Sequence, residues 1–167
     1  DLHKKKINLI KEKASTLRLS IIDAEQADAR HLQEIHNEES FDRILVDAPC
    51  SGLGVVRGKP DVKYNKQEED IERLAKIQLD ILESVAPLLK IGGLFMYSTC
   101  TVDGEENEGV VREFLKKHPN YVVDETFFET LPSMMKESPG LTEIGLQLFP
   151  QTFQTDGFFL TRFIRQN

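Results

Sequence analysis

Cysteine is scarce in this 167-residue chain, which has two, Cys50 and Cys100, fifty positions apart. Neither has a Cys or His partner at metal-ligand spacing, so no disulfide framework and no metal site is expected, and two free thiols remain. Long apolar runs are lacking too. None approaches the roughly 18 residues of a membrane span, and the basic amino terminus leads into no apolar signal-peptide core, so the sequence predicts a cytoplasmic protein without a membrane partner. Positive charge is in deficit, at 21 Lys and Arg against 28 Asp and Glu for a net −7. That balance argues against a broad nonspecific nucleic-acid surface. The deficit is uneven: residues 1–20 carry six Lys and Arg against Asp1 and Glu12, for +4, which leaves −11 on the other 147 residues. A solvated helix face accounts for that basic start more readily than an RNA contact does.

What is present is an alternation of strand and helix signals without repeats. After Asp1-Leu2-His3, Ile7, Leu9, Ile10, Ala14 and Leu17 are spaced to form most of an apolar stripe on a helix that ends near residues 16–19. Ser20–Ala24 reads as a short strand, and a polar loop with Asp28 precedes a weak helix at 29–36. Residues 41–46 read as a strand, 67–90 as a long amphipathic helix with Pro87 late in it, and 94–99 as a second strand. A helix over 103–117 opens on Glu105 and Glu106, which suit its amino-terminal dipole. Tyr121–Val123 and residues 157–164 read as strands around an irregular excursion at 132–154. This order predicts an α/β fold in one domain, with a parallel sheet, right-handed crossovers, helices on both faces and one late antiparallel strand.

Two strands carry chemistry at their carboxyl ends, where ligands gather in open α/β sheets. The first stops at D-A-P-C-S-G-L-G, residues 47–54, and the second at S-T-C-T, residues 98–101. Cys50 and Cys100 both sit in polar loop settings that favour a reactive thiolate, against the ordinary role of cysteine as a small buried hydrophobe. Asp47 is a carboxylate at a strand mouth, able to titrate or simply to cap the following turn. Asp1 and Asp28 are weaker signals, since a loop Asp is usually just solvated. His3, His31, His36 and His118 lie away from both cysteines in the element order, which leaves a Cys-His hydrolase little support. The Gly- and Pro-rich stretch 48–65 is longer than a compact domain ordinarily tolerates without a use, and it reads as an active-site loop.

With P-D-V-K at 60–63 and D-G-F-F at 156–159, these motifs resemble in order and position those of the Sun family of RNA cytosine-5 methyltransferases. Its bacterial members acting on small-subunit ribosomal RNA are the nearest likeness. The resemblance implies a Rossmann-like fold dependent on S-adenosylmethionine, with Cys100 as nucleophile and Cys50 assisting release of the methylated base. Asp47 would lie against the cytosine and the cofactor, Asp28 would bind the adenine end, and Asp1 the ribose hydroxyls. Arg57, Lys59 and Lys63, in the long loop, are the best-placed charges for RNA phosphates, and ribosomal RNA would be the partner.

One departure stands out. The family's first strand and Gly-rich turn should precede Asp1, so the chain is expected to be the carboxyl-terminal part of a single catalytic domain spanning 1–167, inactive alone and with an incomplete cofactor site. Residues 1 to about 38 would then be displaced, disordered or swapped onto another chain, beside a gap in the sheet. Methylation of a base nitrogen, and a noncatalytic fragment binding a partner or the ribosome, are the competing readings.

Overall fold

A computed structural model describes residues 1–61 and 67–167. Strands β1 (Phe41–Asp47), β2 (Leu89–Thr99), β3 (Tyr121–Val123), β4 (Leu146–Leu148) and β5 (Phe158–Arg165) form one sheet. The path across it is β1-β2-β5-β3, with β4 also beside β5. β1 and β2 are parallel, with Val46 opposite Tyr97 and Asp47 opposite Ser98, so their tips end side by side. β5 runs antiparallel to β2, β3 and β4. The first three strands therefore share a direction, and β5 is the late reversed strand that the sequence predicts.

The helices α1 (Lys4–Thr16), α2 (Glu68–Val85) and α3 (Val110–Lys117) have identifiable boundaries. A reciprocal capping box of Gln67 and Asp70 starts α2, satisfying amide groups that the first turn leaves free. Its far end comes earlier than predicted. Pro87 has no N–H to continue the ladder, residues 86–88 tighten into a 3-10 turn, and Lys90 already belongs to β2. Before α3 the chain makes a π-helical turn, Glu105–Gly109, closed by Gly109 N–H donating to Gly104 O at 2.8 Å.

Alternation along β2 and β5 sends Phe95, Tyr97, Phe159 and Phe163 to one face, against Ile81, Leu82 and Val85 of α2 and Val110, Val111 and Phe114 of α3. Phe114 meets Phe95 edge-on at 5.8 Å and Phe163 at 5.2 Å between ring centroids. Each such side chain contributes about 1.5–3 kcal/mol through burial, so this face holds the domain together.

The helices expected on both faces are unequal in size: the four-residue helix Thr126–Glu129 sets Phe127 against Arg162, on the face away from α2 and α3. The long helices α2 and α3 share one face, while on the other Leu45 is 66 % exposed beside Arg43, Met96 and Arg162. The outer edge of β1 pairs with no other strand among the described residues, so β1 is an edge strand and not one side of a mid-sheet gap. Ser20–Ala24 forms no strand. Its β-forming residues have no ladder to join, and Ile21 is left 91 % exposed. Segment 29–34 is nonetheless docked on its own chain, where displacement of residues 1 to about 38 is expected. The 3-10 segment 29–34 packs on α2, Leu32 N–H donates to Ser84 Oγ at 3.0 Å, and Ala27 N–H donates to Asp1 O at 3.1 Å.

Candidate active site

The parallel register of β1 and β2 brings the two motif loops together. Ala48 N–H donates to Ser98 O at 2.9 Å and Gly54 N–H to Cys100 O at 3.0 Å, so the chain leaving β1 is laced along the tip of β2. Gly157 N–H then donates to Gly54 O at 2.8 Å, tying in the D-G-F-F motif. A Cβ on Gly54 would stand 2.2 Å from Gly157 O, which is why only glycine fits there.

This lacing sets the Cys50 and Cys100 sulfurs 3.1 Å apart, with the Cys100 N–H donating to Cys50 Sγ at 3.3 Å. Burial, and secondarily the Cys100 sulfur beside it, push the Cys50 thiol up to about 12. Two adjacent sulfurs cannot both ionise easily, so one proton stays on the pair.

Asp47 accepts from Ser98 Oγ at 3.0 Å and opens onto a cleft of about 650 Å³ that Asp1 and Asp28 also line. The three carboxylates singled out in the sequence thus converge. Apolar surface from Leu2, Leu32, Pro49, Ile77 and Ile81 completes the wall, and Pro49 places the cleft one residue from Cys50. Asp1 accepts from His3 N–H at 2.9 Å and pairs with Lys6 Nζ at 3.5 Å. Asp28 caps the 3-10 segment by accepting from Arg30 N–H at 3.0 Å, and it pairs with the Arg30 guanidinium at 2.6 Å. The side-chain and backbone hydrogen bonds from Arg30 hold its carboxyl far below the ordinary range. Arg57 and Lys59 are exposed in the loop beyond Gly54 and do not line the cleft. Lys63 lies outside the described residues.

Beneath the cysteines runs a buried polar network that the sequence reading did not find. Glu106, which is fully buried, accepts on Oε1 from Ser51 N–H at 2.8 Å and from Gln78 Nε2 at 2.9 Å. Gln78, also fully buried, donates as well to Pro49 O at 2.9 Å. Tyr97 OH donates to Glu106 O at 2.6 Å; burial, then the charges of Glu106 and Cys50, keep the phenol protonated for that role. Ser51 Oγ meets Thr101 Oγ1 at 2.9 Å, joining the residue after one cysteine to the residue after the other. Asn107 accepts from Thr99 Oγ1 at 2.5 Å and donates to Thr101 O at 3.1 Å, bracing the Cys100 loop from below.

A sheet in the order β1-β2-β5-β3, with a carboxylate-lined cleft beside paired cysteines at the strand tips, defines a Rossmann-like methyltransferase domain. Residues 1–164 match the family described as "16S rRNA methyltransferase RsmB/F", and the chain belongs to that family. It is 51% identical over 160 residues to the "Probable ribosomal RNA small subunit methyltransferase B" of Bacillus subtilis, covering 96% of this chain and 35% of that protein. It is 40% identical over 144 residues to the Erwinia tasmaniensis protein named "Ribosomal RNA small subunit methyltransferase B", covering 86% of this chain and 31% of that protein. The chain thus spans about a third of the length of these relatives.

Among solved structures, the one titled "Crystal Structure of PH0851" superposes with a TM-score of 0.88 at 32% identity over 99% of this chain and 36% of that one. NSun6 from Pyrococcus horikoshii, whose structure was solved with SFG, superposes with a TM-score of 0.83 at 29% identity over 100% of this chain and 40% of that one. Both superpositions include residues 1–38 almost completely.

Proposed function

We propose that residues 1–167 are the carboxyl-terminal part of one catalytic domain in an S-adenosylmethionine-dependent methyltransferase that modifies C5 of a cytosine in small-subunit ribosomal RNA. The observation that carries this reading is the 3.1 Å approach of Cys50 and Cys100 beside a cleft with three carboxylates. Methylation of a base nitrogen would need no nucleophilic thiol, and a noncatalytic binding fragment would need no such pair.

The cleft fits the nucleoside half of the cofactor. Asp1 and Asp28 supply acceptors for hydroxyl and amino groups, and Leu32, Ile77 and Ile81 supply an apolar wall for a flat base. S-adenosylmethionine held there supplies an electrophilic methyl group. The chain's own residues prepare the cytosine, which must first be unstacked into the pocket. The Cys100 thiolate adds to C6, forming a C–S bond and turning C5 into an enamine carbon able to accept the methyl. Asp47, as the acid near N3, offsets charge that builds on the ring. Release then requires the C5 proton to leave to a base, the C5–C6 double bond to re-form and the C6–S bond to break, returning Cys100 as thiolate. Cys50 is the group assigned to that stage. Once the Cys100 sulfur is a neutral thioether its charge no longer opposes ionisation of Cys50, although the larger cause, burial, persists.

Arg57 and Lys59 are assigned to RNA phosphates near the entry, with charge reversal expected to weaken binding and flatten its salt dependence. The deciding experiment is methylation of small-subunit RNA by the full-length protein, followed by nucleoside analysis. The reading requires 5-methylcytidine that disappears with Cys100→Ala. A methyl group on a ring nitrogen, or product that survives Cys100→Ala, overturns it.

A further inference from the structure

We propose that Glu106 is a positioning residue for Cys50, fixing the second cysteine for the release step through hydrogen bonds to the peptide groups on either side of it. This rests on the covalent reading above and goes beyond it, because Glu106 touches neither cysteine side chain nor the cleft.

Cys50 is flanked by the Pro49 carbonyl and the Ser51 N–H. Both are held from the same buried point: Ser51 N–H donates to Glu106 Oε1 at 2.8 Å, and Gln78 Nε2 bridges Pro49 O at 2.9 Å and Glu106 Oε1 at 2.9 Å. Glu106 is itself anchored at its backbone by Tyr97 OH, at 2.6 Å. The π-helical turn Glu105–Gly109 places this carboxylate under the loop, and such turns recur at functional sites. Fully burying a carboxylate is costly unless it is well bonded, and here only Oε1 has partners among the described residues; Oε2, like Gln78 Oε1, has none. A group kept in the core at that cost, with its bonded oxygen aimed at the Cys50 loop, is suited to fixing one sulfur against the other. The nucleophile depends on this clamp less, because Cys100 directly follows β2 and the Asn107 side chain braces the residues on either side of it, accepting from Thr99 Oγ1 and donating to Thr101 O.

The clamp therefore acts on release more than on attack. In the full-length protein with its RNA substrate, Glu106→Ala should lower turnover by about tenfold or more, the loss expected when a hydrogen bond to a charged acceptor is removed. At the same time the fraction of enzyme trapped as a covalent RNA adduct should rise in the steady state, while single-turnover adduct formation stays near the wild-type rate. Glu106→Gln should restore turnover, since an amide oxygen accepts the same two hydrogen bonds. A parallel fall in adduct formation and turnover, or a Gln variant as slow as the Ala variant, would overturn the proposal. If Glu106→Ala fails to melt cooperatively, Gln78→Met, which loses both donors at similar volume, must show the same accumulation. Absence of any adduct in the wild-type protein would instead bring down the covalent reading, and this inference with it.

Discussion

The sulfur atoms of Cys50 and Cys100 stand 3.1 Å apart because the parallel register of β1 and β2 sets Asp47 opposite Ser98, so that the loops leaving both strands start level. Cys50 and Cys100 are fifty positions apart in the chain, with α2 between them, and the sheet rejoins them. Chemistry at this site therefore depends on strand register as much as on either cysteine.

Titration of Cys50 follows from that contact. Its thiol is pushed up to about 12 by burial first and by Cys100 second. Removing Cys100 as Cys100→Ser should lower the Cys50 value without returning it to that of a free thiol, because burial stays. Alkylation of Cys50, followed by mass spectrometry across a pH series, should show its reactive limb moving to lower pH in the variant. An unmoved limb would mean that the two thiols do not interact.

Gly54 tests the lacing. A Cβ there meets Gly157 O at 2.2 Å and Cys100 O at 2.7 Å, both backbone atoms that cannot swing aside. Gly54→Ala should cost about 1–3 kcal/mol, as overpacking commonly does, and lower the melting temperature. It should also lengthen the Cys50–Cys100 separation, read as slower chemical cross-linking of the two thiols.

An acid limb of stability is expected from Asp124. Burial alone would raise its carboxyl, but hydrogen bonds from Thr126 and the Arg162 guanidinium, the latter at 2.7 Å, together hold it below its ordinary value. A carboxyl depressed in the folded state contributes stability above its unfolded pKa of about 3.9, and that contribution is lost as pH falls through the folded value. Asp124→Asn should cost about 1–3 kcal/mol at neutral pH and flatten the loss of stability below about pH 4. Equal acid slopes in both proteins would assign that limb to other carboxylates.

The legible parts of the sequence were those where a local pattern meets its own physical cause. The apolar runs ending at Asp47 and Thr99 announced buried strands with polar tips, and strands do end there, but in β1 only Val46 is buried because its outer edge pairs with no described strand. Ser20–Ala24 has the composition of a strand, yet a strand exists only through a partner, and the ladder it would join is absent among the described residues. β4 escaped notice because three residues, Leu146–Leu148, carry too little alternation to stand out in an irregular segment. In the sequence Glu106 reads, with Glu105, as an acid suiting a helix start. Helical periodicity cannot say which of Glu105, Glu106 and Glu108 turns inward when the turn is π-helical, and only Glu106 is buried. Asp47 is legible as a carboxylate at a strand mouth, whereas cofactor roles for Asp1 and Asp28 come from the family resemblance, and the convergence of all three on one cleft depends on the docking of residues 29–34 against α2.

The most direct measurement of the central claim uses RNA in which the target cytosine is replaced by 5-fluorocytosine. Fluorine at C5 cannot leave as a proton does, so an enzyme that adds a thiolate at C6 is trapped after methyl transfer. With the full-length protein and S-adenosylmethionine, a covalent protein–RNA adduct should form, proteolysis and mass spectrometry should place it on Cys100, and Cys100→Ala should abolish it. Efficient methylation of the unmodified RNA without any adduct on the fluorinated RNA, or an adduct mapped to Cys50, would contradict the account.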